Sequence, residues 1–106
     1  MKNLYAFYDS VSGLCGQVFE AENDMVMRRS AIRALASFSP EIARDTIVLQ
    51  LGSVRNDDGV LPALEPCVPA RIALAGSSPD VEQARIELLA EAQRYSPFAG
   101  GDANAE

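Results

Sequence analysis

A chain of 106 residues, 48% hydrophobic and 23% charged, is long enough to fold as one domain on an apolar core without disulfides or metal. Its formal net charge of −6 excludes a protein that coats nucleic acid with its whole surface, because displacing counterions from phosphates takes many lysines and arginines. The absence of histidine excludes His-based triads, His general bases and mixed Cys/His zinc sites.

Residues 3–8, NLYAFY, are predicted to form a strand with Leu4, Ala6 and Tyr8 on one face and Tyr5 and Phe7 on the other. Asp9-Ser10-Val11-Ser12-Gly13 is turn chemistry, with Gly13 free to take positive φ. Alternation resumes over residues 15–21, so the two strands read as a hairpin.

The clearest helix covers residues 24–38. Asn23 is its predicted N-cap, and Asp24 lies near the positive end of the dipole. At about 100° per residue, Met27, Ala31, Ala34, Leu35 and Phe38 make one apolar stripe, with Ile32 at its margin. Arg29 and Arg33 fall on the opposite side. Arg28 sits on the flank and is expected to pair with Asp24, one turn earlier. Ser39-Pro40 supplies the stop.

A short helical turn at EIARD precedes the strongest strand, residues 46–53. Ile47, Leu49 and Leu51 share one face while Val48 and Gln50 take the other, so this strand reads as buried and central. Asn56-Asp57-Asp58-Gly59 is a hairpin loop signal. Its partner, residues 60–64, carries Pro62 and is followed by Pro66 and Pro69, which confines it to an edge or a border segment. Residues 71–75, RIALA, add a short last strand.

Ser78-Pro79-Asp80 opens the final helix, with Ser78 as N-cap and Pro79 at its first position. Val81, Ala84, Leu88, Ala92 and Tyr95 form its apolar stripe. Ile86 and Leu89 widen that stripe, which makes them candidates for contact with a partner, including a second copy of the chain in a homodimer. Residues 96–106 are small, polar and acidic and read as a disordered tail. The order ββαββ(β)α predicts a single α+β domain over residues 1–95: a mainly antiparallel sheet of four or five strands covered by helices on one face. The N-terminus lacks the pattern of a signal peptide, and no segment approaches the ~20 apolar residues of a membrane span. The expected location is the cytoplasm, with no membrane partner.

Two constellations are candidates for function. Residues 24–38 carry three Arg against one Asp, leaving six basic and fourteen acidic residues elsewhere, so positive charge is concentrated on this helix. Two guanidinium forks at Arg29 and Arg33 suit phosphate oxygens; the competing reading is a solvated helix face. Tyr5 and Tyr8, with Phe7, could stack bases of single-stranded nucleic acid, although strand aromatics more often pack a core. Asp57-Asp58 and Asp9 lack the further ligands of a calcium loop, and Ser10, Ser12 and Ser53 have no local base. No metal, cofactor or catalytic group is therefore predicted. Cys15 and Cys67 form no C-x-x-C unit and are expected as free, buried thiols.

Three stretches carry a resemblance: Tyr8-Asp9-Ser10 closing the first strand, the Asn23-Asp24 helix start with Arg29, and Leu51-Gly52 before Asn56-Asp57-Asp58-Gly59. In order and spacing these resemble the small nonstructural protein of gokushovirus-like microviruses, single-stranded DNA phages of bacteria. The resemblance covers the chain up to about Ala70. It departs at Ala31, where the family tends to have an aromatic, and in the extended C-terminal helix and tail. What it implies is a nonstructural role in genome replication, or in the switch to single-strand synthesis and packaging, with DNA binding and with the family's helix arginine falling on Arg29.

The leading expectation is thus a non-enzymatic phage protein of the host cytoplasm. Arg29 and Arg33 would meet single-stranded DNA or an acidic protein, and Tyr5 and Tyr8 would supply stacking. The alternative is an adaptor that binds a replication initiator, a host replication factor or the procapsid without touching DNA.

Overall fold

A computed structural model describes residues 2–55 and 59–95. The elements run β1 (Lys2–Asp9), β2 (Leu14–Ala21), α1 (Asp24–Ala36), α2 (Pro40–Asp45), β3 (Thr46–Arg55), β4 (Ala63–Pro66), β5 (Ile72–Ala75) and α3 (Pro79–Tyr95). This is the α+β order read from the alternation of the strands and the caps of the helices, with the short turn after Pro40 formed as α2. The predicted tail and residues 56–58 of the predicted hairpin loop lie outside the described residues. No helix among the described residues is long and apolar enough to cross a membrane.

The sheet is antiparallel throughout. β1 pairs with β2 on one side and with β3 on the other. The far edge of β3 is shared, β5 pairing with its first half and β4 with its second. Between those two strands residues 67–71 leave the ladder: the Cys67 N–H donates to the Leu51 carbonyl at 3.0 Å, and the Gln50 N–H to the Arg71 carbonyl at 3.2 Å. β4 begins three residues later than the sequence suggests, at Ala63. Pro62 has no N–H to give a ladder, so pairing starts just past it, and the prolines sit at the edge as expected.

Register assigns each strand residue to a face. Asn3 pairs with Ala21 and Ser53, Tyr5 with Phe19 and Gln50, Phe7 with Val48, and Val48 with Leu74. These side chains lie under the helices. Leu4, Ala6 and Tyr8 pair with Glu20, Val18 and Cys15 on one side, and Ala6 and Tyr8 with Leu49 and Ile47 on the other. They point away. One-residue irregularities between Cys15 and Val18 and between Gln50 and Gly52 keep these assignments in phase across three strands.

The core lies on the helix side of the sheet. Tyr5, Ala21, Val48 and Leu74 meet Met27, Ala31 and Leu35 of α1 and Val81 of α3. Phe7 stacks on Phe19 at 5.0 Å and meets Phe38 edge-on at 6.0 Å, so the predicted α1 stripe is the packed one. Asn23 caps α1, its Oδ1 accepting from the Val26 N–H at 2.9 Å. Gly13 takes φ 77° in the hairpin turn, where its lack of a side chain is used. At Gly76 a Cβ would stand 1.8 Å from the Ala43 carbonyl oxygen, so only glycine lets β5 turn into α3 against α2.

Candidate functional site

α1 presents three arginines, and the fold divides them. Arg28 reaches across to α3, its Nη2 donating to Asp80 Oδ2 at 2.8 Å. The pairing expected with Asp24 on the same helix is absent. Asp24 is taken by groups distant in sequence: the Tyr5 hydroxyl of β1 donates to Oδ1 at 2.5 Å, and Arg71 Nη2, just before β5, lies 3.4 Å from Oδ2. An exposed i,i+4 pair is worth only tenths of a kcal/mol, roughly 0.2–0.5. A buried tyrosine hydroxyl left unpaired costs more, about 1–3 kcal/mol, so Tyr5 claims the carboxylate.

Arg29 and Arg33 are exposed, and neither makes an ion pair with a described residue. They line a groove of about 300 Å³ between α1 and α3, together with Ile32, Ala84, Leu88, Glu87 and Glu91. Two guanidinium groups from one helix and two carboxylates from the other border the same space. The local field is therefore nearly balanced, and the exposed cations stand beside apolar side chains that a partner could cover.

Tyr5 is not available to a base. Its ring is fully buried and stacked on Phe19 at 5.7 Å, while its hydroxyl also accepts from Asn3 Nδ2 at 3.1 Å. Burial raises its pKa, and the hydrogen bond to Asp24 adds to the rise. Tyr8 is half-buried on the opposite face of the sheet, beside Ile47 and Cys15. The four predicted nucleic-acid residues thus fall in three places: Arg29 and Arg33 together on the helix layer, Tyr5 inside, Tyr8 on the far face. The parity that separates Tyr5 from Tyr8 is plain in the sequence; which face is covered is a property of the whole fold.

Ile86 and Leu89 are exposed on α3, at 53% and 59%. They remain candidates for partner contact. Cys67 is half-buried and Cys15 is exposed, against the expectation of two buried thiols, because Cys15 lies on the edge strand β2, most of which is exposed. Both are free.

Sequence reasoning missed a polar cluster under the helices. Asn3 accepts from the Ser53 hydroxyl at 3.0 Å and donates to Tyr5, Tyr5 donates to Asp24, and Arg71 bridges Asp24 to the Gln50 side chain. Its signal was the run of polar residues Asn3, Gln50 and Ser53 in otherwise apolar strands. Its members satisfy one another around a buried phenol, which fixes the angle of α1 on the sheet. Also unanticipated is Arg85, which is mostly buried where the helix stripe would carry an apolar residue. It donates through Nη1 to Glu82, and its Nε and Nη2 have no partner among the described residues. Among the described residues no group of three or more Cys, Asp and Glu is placed to hold a metal ion.

No protein-family model matches the chain, and no curated protein or solved structure matches it significantly.

Proposed function

We propose that this is a non-enzymatic interaction protein of a single-stranded DNA phage, serving genome replication or packaging in the host cytoplasm through the groove between α1 and α3. The observation that carries the reading is the pair Arg29 and Arg33: exposed, unpaired among the described residues, and set beside Ile32 and Leu88. The partner it fits is a protein segment with carboxylates for the arginines, a basic group for Glu87 or Glu91, and an apolar side chain for the groove. A replication initiator or a procapsid protein could offer such a segment.

Direct contact with single-stranded DNA is the second reading, supported by the exposure of the same two guanidinium groups. Against it stand Glu87 and Glu91 in the groove, the burial of Tyr5 and the net charge of −6. The two readings part in one titration series. The adaptor reading expects no binding of a labelled oligothymidine even at low salt, and binding of the purified initiator or capsid protein that weakens about tenfold or more in an R29A/R33A variant. Salt-dependent oligothymidine binding, with a log–log slope that flattens by about two in the same variant, would replace it with the DNA reading.

A further inference from the structure

One face of the sheet carries apolar side chains and no helix. Leu4, Tyr8, Val18, Ile47, Leu64 and Ile72 all belong to it by register. Val18, Leu64 and Ile72 are 53%, 59% and 60% exposed. The core contacts of α1 and α3 are made on the other side. An antiparallel sheet with one solvated face ordinarily turns polar residues outward, whereas the central strand β3 places Ile47, Leu49 and Val54 on the face without helices and Thr46, Gln50 and Ser53 under them. In the middle of this face Ala6 and Leu49 are already closed off, at 0% and 8% exposed, while the apolar side chains of the flanking strands stand open.

We infer that a second copy of the chain supplies the missing cover, the two sheets packing face to face about a two-fold axis. Charge supports a like partner. Two chains of net charge −6 repel unless they meet where neither carries excess charge. Among the described strand residues of this face only Lys2 and Glu20 are charged, and they neutralise each other at 3.6 Å. Size agrees as well. Eight-residue strands at about 3.4 Å per residue and four strand positions at about 4.8 Å spacing give roughly 500 Å² in plan. Side-chain relief makes the accessible area larger, on the scale of the ~800 Å² that each partner contributes to a standard interface. Two sheets packed in this way make a β-sandwich divided between two chains, with inner faces about 10 Å apart.

The test uses the full chain in sedimentation equilibrium across concentrations up to about 100 μM, where an interface of this size is populated. The wild type is expected at twice 11.4 kDa. A Leu64→Glu, Ile72→Glu variant changes side chains exposed in one copy but buried in the pair. Its dimer dissociation constant should rise by about 100-fold or more, since four carboxylates per dimer lose their water. Leu89→Glu on α3 should leave it unchanged. A wild-type monomer overturns the inference, as does a dimer indifferent to the sheet substitutions or broken by Leu89→Glu. If the double variant does not fold, methyl solvent-relaxation NMR on the wild type decides. The Val18, Leu64 and Ile72 methyls should lose solvent contact with rising concentration while Ile86 and Leu89 keep theirs; the reverse pattern, or no change, overturns it.

Discussion

The two faces of the sheet are both rich in apolar side chains, yet only one admits polar residues toward its middle. Under the helices Asn3, Tyr5, Gln50 and Ser53 sit among aromatics because Asp24 and Arg71 come down to meet them. On the open face, apart from the Lys2–Glu20 pair and the half-buried Tyr8, the strand residues are apolar or small. Polar groups are kept where the same chain can satisfy them. Where it cannot, the face is left apolar, with Val18, Leu64 and Ile72 exposed along its flanks.

The sharpest test of this difference compares substitutions on the two faces at concentrations where the protein is monomeric. Met27 is fully buried against the helix-side core, and Met27→Ala should lower unfolding free energy by about 2–5 kcal/mol in a urea titration. Leu64→Ala, at a site 59% exposed, should stay within about 0.5 kcal/mol. Equal losses in the monomer would mean that the two faces are covered alike, and the contrast would fail.

A smaller effect probes the polar cluster. Tyr5→Phe keeps the ring in its stack with Phe19 but leaves Asp24 and Asn3 without the hydroxyl. A loss of about 1–3 kcal/mol at neutral pH is expected. The same hydroxyl makes stability pH-dependent. Its folded-state pKa lies above the ordinary 10.0, through burial first and the hydrogen bond to Asp24 second. The neutral phenol is therefore favoured by folding, and its stabilisation is complete below pH 10 and lost as pH rises through the folded value. Denaturant titrations through that alkaline range should show a steeper decline for the wild type than for Tyr5→Phe. Parallel curves would place the hydroxyl in water instead.

Much of this architecture was legible from residue order. Alternation gave the strands and their face parity, Asn23 gave the start of α1, and Pro62 and Pro66 marked the border strand. The partner choices were not legible. Arg28 and Asp24 are one turn apart in sequence, and a local rule pairs them; Asp80 and Tyr5 are distant in sequence and win in space. The same applies to Tyr5 and Tyr8. A pattern of period two says that they face opposite ways, but the choice of buried face depends on where α1 lands, which Met27, Ala31 and Leu35 decide together. For the groove, the arginines were visible and their acidic neighbours were not, because Glu87 and Glu91 enter only when α3 packs on α1.

The smallest expected effect concerns the charge pair on the open face, and it sharpens the contrast from the other side. Lys2 and Glu20 approach to 3.6 Å with side chains 55% and 54% exposed, so water and salt screen them in a single chain. A double-mutant cycle with Lys2→Ala and Glu20→Ala should return a coupling of about 0–0.5 kcal/mol in the monomer, vanishing at high salt. The corresponding cycle between Tyr5→Phe and Asp24→Ala should return more, about 1 kcal/mol or above, and resist salt, because that bond is made beneath a helix. If the Lys2–Glu20 coupling grows as the protein associates, the pair is being withdrawn from water, and the withdrawal marks the side of the sheet on which the two copies meet.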